Sequence, residues 1–244
     1  MIINKILKPV LVLLSITFIV FRVLTKDFLG DVTSTLLLVL LTTLYYFGNK
    51  ERKPLFLAFL ITFSISELLN LSGYFFLDSY VFLNFIYYAG NMLCMLSYIF
   101  LILLCSRTMR LKRILKEFTV TILILLVLGI FCVTLITETA ESQLTTSEFI
   151  VEFAYNTVVM ILLSVALLNY MDKENNKAML FFIGSMLLFF SEMVQLAYYY
   201  IKEMPHLAAI YSIFLVLAFT FFYIQSQLAF KESAISSSNL MEKA

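Results

Sequence analysis

The sequence predicts an all-α membrane protein: eight transmembrane helices arranged as two parallel four-helix repeats. Three observations carry that reading. Of 244 residues, 62% are hydrophobic and 14% charged, with a mean hydropathy of +0.97, whereas a soluble domain is about 45–50% apolar and about 25% charged. The apolar runs are about 16–25 residues long, enough to cross a hydrocarbon core at about 1.5 Å per residue, and they lack the period-two alternation of a transmembrane barrel. One stretch also occurs twice. SELLNLSGY begins at Ser66 and SEMVQLAYY at Ser191, so Ser66 matches Ser191, Glu67 matches Glu192 and Asn70 matches Gln195 at an offset of 125 residues. Tyr98 and Tyr223 fall on the same offset.

The spans follow in order. The first covers about 6–24 behind Lys5 and Lys8, and no small-x-small site follows it, so it reads as an uncleaved helix rather than a signal peptide. The second opens at Gly30-Asp31, with Asp31 or Thr33 as the expected N-cap, and ends near Phe47. Charges at Lys50, Glu51, Arg52 and Lys53 precede Pro54, which suits the first turn of a third span reaching Gly73. A polar corner at Asp78-Ser79 leads to the fourth span, about 81–105. The most basic loop, 107–116, then precedes a fifth span, about 118–136, that is nearly devoid of polar groups and is expected to face lipid. Spans at about 149–170, 178–201 and 207–230 complete the set. The resulting organisation is one transmembrane domain over 1–231, with halves of about 1–106 and 107–231, and a polar cytoplasmic tail over 232–244.

Eight spans put the loops on alternating sides. The side holding both termini then receives fourteen of the seventeen Lys and Arg, and only Arg22, Lys26 and Lys202 fall opposite. That bias places both termini in the cytoplasm, as for a protein of a bacterial inner membrane. Four spans per half make the halves run in the same direction. Trp is absent, so Tyr45, Tyr46, Tyr170 and Tyr198 to Tyr200 are expected to serve the interfacial belt.

Glu67 and Glu192 each lie inside an apolar run, where an ionisable group is costly and marks a functional site by default. They sit about 13 and 14 residues into spans of the same direction, so their depths agree. Asn70 and Gln195 share their faces three residues on, and Ser64 extends the first stripe. Burial disfavours a charged carboxyl, and two carboxyls in one site would hold a single proton between them. One acid and one anion suit acid-catalysed cleavage through an oxocarbenium-like state, and serve a proton-coupled carrier equally well. The plainer alternative is two protonated side chains that glue helices together through Asn70 and Gln195.

Other features are weaker. Glu152, Tyr155 and Asn156 share a face of the sixth span near its outer end, where snorkelling to water is easy. His206 is the only histidine, and Cys94, Cys105 and Cys132 show no ligand spacing, so neither a metal, a disulfide framework nor a cofactor is expected. The Cys, Met and Phe read as packing. Net charge of +1 carries no indication of a nucleic-acid partner. The basic loop is explained by orientation, with attraction to anionic headgroups as an extra.

GSMLLFFSE, from Gly184 to Glu192, resembles the segment of the YhhN-like (lysoplasmalogenase) family that reads Gly-small-apolar-Leu-Phe-x-x-Ser-Asp. A corner with Pro205 and a last Tyr-containing, Gln-ending span follow in the family's manner. Ser66-Glu67 stands where the family's third span has Gly-Asp. The resemblance implies an integral membrane hydrolase of the vinyl ether bond of lysoplasmalogens. Its suspected aspartate pair corresponds to Glu67 and Glu192, with Ser66, Asn70, Tyr98, Ser191, Gln195 and Tyr223 around the substrate. The chain departs from the family in having Glu for both Asp, Met95 for a His three residues before Tyr98, and Lys8-Pro9 on the first rather than the second span. A membrane lysolipid is the expected partner. A small proton-coupled transporter or lipid-binding protein using the same pair is the alternative, and a scaffold or sensor domain a third.

Overall fold

The computed structural model describes residues 2–48, 52–76, 79–201 and 203–228. Lys50, Glu51, Asp78, Lys202 and the tail at 232–244 lie outside the described residues. Nine α-helices are present among the described residues: α1 (Ile2–Val23), α2 (Asp27–Gly48), α3 (Pro54–Ser72), α4 (Tyr80–Ser106), α5 (Leu111–Glu117), α6 (Thr119–Ala140), α7 (Thr146–Lys173), α8 (Asn176–Tyr200) and α9 (Pro205–Gln227). Seven of them (α2, α3, α4, α6, α7, α8 and α9) are long and apolar enough to cross a membrane. The chain is therefore built as a multi-pass helical membrane protein.

The helix ends follow local chemistry. Pro54 and Pro205 occupy the first turns of α3 and α9, where a missing N–H costs nothing. Thr145 and Glu148 form a reciprocal capping box at the start of α7. Glu174 in the left-handed conformation (φ 46°) ends α7, and Asn175 then accepts from the Ala178 N–H to cap α8.

Two expectations change here. The second span begins at Asp27, so Asp31 and Thr33 lie inside α2 rather than at its cap. Thr33 donates back to the carbonyls of Leu29 and Gly30, whereas Asp31 is drawn into an ion pair. The basic loop also contains a short helix, α5, tied internally by Arg113 to Glu117.

Neighbouring helices close a ring in the order α1, α2, α3, α4, α7, α8, α9 and back to α1. The most apolar helix, α6, lies outside the ring against α7 and, more lightly, α8. Its Leu123, Val127, Ile130 and Phe131 point outward, the lipid-facing role its composition implies. The halves therefore pack differently at their first helices: α1 closes the ring, whereas α6 stays outside it.

The ring interior is filled in its middle by Phe59 and Phe63 of α3, Tyr98 and Leu101 of α4, Val159 and Leu162 of α7, Leu188 of α8, and Phe219 and Phe222 of α9. Phe59 stacks on Phe219 with centroids 5.5 Å apart. Where lipid cannot supply a hydrophobic driving force, such interdigitation and small-residue contacts hold helices together. Gly184 is one of these contacts, since a Cβ there would meet the Phe222 ring at 2.9 Å.

The tyrosines expected to form an interfacial belt divide. Tyr46 is exposed, with the Arg52 guanidinium over its ring at 4.1 Å. Tyr45 and Tyr198 are buried instead, and the Tyr45 hydroxyl accepts the Lys53 N–H at 2.9 Å. Those two satisfy the interior rather than the membrane surface.

Candidate functional site

The second halves of α1, α3 and α8 and the first halves of α2, α4, α7 and α9 surround a cavity of about 310 Å³ at one end of the ring. Its wall contains Glu67 and Glu192 together with Ser66, Asn70 and Gln195. Five of the residues singled out in the duplicated stretch thus line a single space.

Glu192 is the better anchored acid. The hydroxyl of Tyr155 donates to its Oε2 at 2.8 Å, and Tyr98 donates to its Oε1. The two phenols also lie within 3.3 Å of each other. Tyr98 and Tyr155 come from α4 and α7, so Glu192 is clamped by two helices besides its own. Glu67 accepts from Ser34 of α2 at 3.2 Å.

Beside Glu67 lies a charge cluster. Arg22, only 4% exposed, is ion-paired to Asp31 and to Asp27, the latter at 3.1 Å. Tyr74 donates to the other oxygen of Asp31 at 2.7 Å. Asp27, Gly30, Asp31 and Ser34 recur at helical spacing on one face of α2. Gly30 leaves the room this needs, because a Cβ there would sit 2.9 Å from Arg22 Nε. That Nε and the hydroxyl of Tyr211, both on the cavity wall, have no hydrogen-bond partner among the described residues. Buried polar atoms left this way mark places where a bound molecule or water completes the set.

The remaining expected residues have other places. Ser66 donates to the carbonyl of Gly90 at 2.9 Å, and Ser191 donates to that of Tyr211 at 2.8 Å. The opening serine of each copy thus ties its helix to the next one along the chain, and Ser191 is not part of the cavity wall. Tyr223 packs half-buried against the core, away from the wall. Ser64 pairs with Thr42 of α2 at 3.1 Å.

Glu152, Tyr155 and Asn156 do not snorkel outward. They are buried on the cavity wall, and Asn156 donates to Thr137 of α6 at 3.1 Å. The residues least visible in the sequence are Arg22, Asp31 and Ser34, because charges at helix ends read as loop or topology signals. The signal that could have found them is the spacing of Asp27, Asp31 and Ser34 along one face, opposite a lone Arg near the end of the first apolar run.

In all, the wall carries four carboxyls (Asp31, Glu67, Glu152 and Glu192), one guanidinium and five tyrosines (Tyr87, Tyr155, Tyr199, Tyr200 and Tyr211). Among the described residues no group of three or more His, Cys, Asp or Glu is arranged to hold a metal ion. Below the cavity the aromatic core blocks the ring. On α3, Phe63 in this cavity stands eight residues beyond Leu55, which lines a second cavity at the far end. That spacing corresponds to a packed layer of about 12 Å at helical rise.

The fold and site define a class: a ring of membrane helices holding a carboxyl-lined cavity with the aromatic core beneath it. No family model, no curated protein and no solved structure matches the chain.

Proposed function

We propose that this protein is an integral membrane hydrolase of lysolipids, cleaving a vinyl ether or related bond with Glu67 and Glu192 as its acid–base pair. The observation that carries the proposal is that α3 and α8 bring both carboxyls into the wall of one cavity. The resemblance of residues 184–192 to the lysoplasmalogenase family supports the same chemistry. An acidic wall rich in tyrosine favours a cationic ammonium headgroup, because ring faces and carboxylates both attract it. The packed layer beneath the cavity favours one-sided binding over passage through the ring.

Roles follow from the hydrogen bonds. Two phenols donate to Glu192, so this reading takes Glu192 as the base and Glu67 as the acid. Glu67 protonates the outer vinyl carbon, and the ether carbon becomes an oxocarbenium ion. Water adds to that carbon while Glu192 takes its proton, forming a hemiacetal. Collapse breaks the bond to the glycerol oxygen: Glu192 returns a proton to that oxygen, and the hemiacetal hydroxyl gives its own to Glu67. One water is consumed, a fatty aldehyde and a glycerophospho-alcohol leave, and both carboxyls are restored.

In this reading the chain has eight spans, α1 included. Both termini lie in the cytoplasm of a bacterial inner membrane, and the halves run in the same direction. The cavity then opens away from the cytoplasm.

The test is to incubate purified protein with ethanolamine and choline lysolipids bearing vinyl ether, alkyl ether or acyl chains, and to assay released aldehyde or acid. Aldehyde or acid release without an imposed gradient is expected. Glu67→Gln and Glu192→Gln should each lower turnover by roughly a hundredfold or more, the scale of a lost general acid or base. Parent-level turnover by Glu192→Gln would end the two-carboxyl mechanism. Gradient-driven uptake without product would assign the pair to a carrier instead.

A further inference from the structure

A second cavity, of about 200 Å³, lies at the opposite end of the ring, where α3 and α8 begin and α4, α7 and α9 end. Four basic side chains line it: Lys53, Arg107, Lys173 and Lys177. They come from four separate elements of the chain: the approach to α3, the end of α4, the last turn of α7 and the first turn of α8. Lys173 and Lys177 flank one short turn, and the ring brings Lys53 and Arg107 to them.

Two further features bear on what this space would hold. The N-termini of α3 and α8, helices of 19 and 25 residues, both open onto this space through Pro54, Leu55 and Ala178. The α3 N-terminus presents its positive dipole end here, whereas Asn175 already takes the Ala178 N–H at the start of α8, and α4, α7 and α9 bring their C-termini to the same space. Independently, the amide oxygens of Asn169 and Gln225 are buried on the wall without a hydrogen-bond partner among the described residues, their residues 5% and 7% exposed. An amide exchanges its oxygen and nitrogen positions by a half-turn. Both side chains can therefore offer N–H donors to an anion, and no described donor holds either oxygen in place against that turn.

We infer that this cavity is a phosphate site, binding the phosphate of an anionic lipid headgroup or of a soluble phosphate ester. Basic pockets between helices at a membrane face take phosphate headgroups in this way. The guanidinium of Arg107 presents a planar fork to two phosphate oxygens, the lysines add point charge, and Asn169 and Gln225 close the inner side. The cavity lies beyond the aromatic core from Glu67 and Glu192, so the site is independent of the hydrolytic reading and can stand or fall without it.

The experiment is native mass spectrometry of the full-length protein in an uncharged detergent. It is titrated with phosphatidylglycerol, with phosphatidylcholine of the same chains, and with inorganic phosphate. Retention of phosphatidylglycerol over phosphatidylcholine is expected. It should weaken by roughly tenfold or more in Lys173→Gln/Lys177→Gln, since each cation near an anionic surface contributes to such binding. Competition by millimolar inorganic phosphate, with the same loss in the variant, would support the site and assign it to soluble phosphate esters. Arg107→Gln, at an exposed position that the fold does not need, provides the same comparison if the double variant fails to fold. Equal retention of the two lipids with no binding of phosphate, or anion binding unchanged in the variants, would overturn the inference.

Discussion

Arg22 shapes one side of the carboxyl-lined cavity. It has two carboxylate partners, Asp27 and Asp31, and lies 5.6 and 5.7 Å from the ring centres of Phe18 and Tyr211. Removing one partner of a buried ion pair leaves the other charge uncompensated, typically at about 3–5 kcal/mol. Arg22→Leu should therefore lower the thermal unfolding midpoint in detergent sharply. Asp27→Asn, whose side chain is 48% exposed, should barely move it. Comparable midpoints for the two variants would show that the cluster does not hold the ends of α1 and α2 together. Tyr155→Phe reports on Glu192 at the same scale. It deletes one phenol donor and keeps the ring, so activity should fall while stability stays within about 1.5 kcal/mol of the parent, the net worth of one hydrogen bond. The acids were legible in the sequence because an ionisable side chain is too costly to stand inside an apolar run without a task. The repeat offset marked Tyr98 and Tyr223 alike, but not their roles, since Tyr in such a run looks the same whether it packs, as Tyr223 does, or donates to a carboxyl, as Tyr98 and Tyr155 do.

Among the elements, the helices themselves were the most readable feature, because length and hydropathy alone decide which segments can cross a membrane. Their ends were less so. Asp31 looked like a cap, but α2 gains an extra turn from Asp27 once Arg22 can pair with both acids. The basic segment looked like a loop, although α5 can form there with an i to i+4 pair between Arg113 and Glu117. Which helices touch was not legible at all. The α1–α9 and α4–α7 contacts depend on shape matching between distant faces, and apolar faces in lipid carry no pattern that names their partner. The α8–α9 contact makes a direct prediction. A Cβ at position 184 would press on the Phe222 ring at 2.9 Å and approach the Ala218 carbonyl at 3.4 Å. Phe222 is itself fully buried. Gly184→Ala should therefore destabilise by about 1–3 kcal/mol through overpacking, despite alanine's better helix propensity. An unchanged or raised unfolding midpoint would show that α9 can shift to make room.

At the scale of the whole molecule, the two cavities give the ring a polarity that can be compared with its charges. The acidic cavity lies at the end where α1, α3 and α8 finish, and the basic cavity lies at the end where α3 and α8 begin. In the proposed eight-span arrangement the positive-inside bias, fourteen Lys and Arg against three, assigns the basic end to the cytoplasm. Lys53, Arg107, Lys173 and Lys177 of the basic cavity are among those fourteen, so in the proposed arrangement the carboxyls open to the opposite side. Cysteine-accessibility labelling tests it directly in a background where Cys94, Cys105 and Cys132 are replaced. Gln143→Cys, between α6 and α7, should react with a membrane-impermeant reagent from outside intact cells. Lys112→Cys in α5 and Ser237→Cys in the tail should react only after the membrane is opened. Labelling of Lys112→Cys from outside would invert the molecule and present the carboxyls to the cytoplasm. Labelling of Gln143→Cys and Ser237→Cys from the same side would mean an even number of crossings after α6, and with it the loss of the eight-span arrangement and its parallel halves.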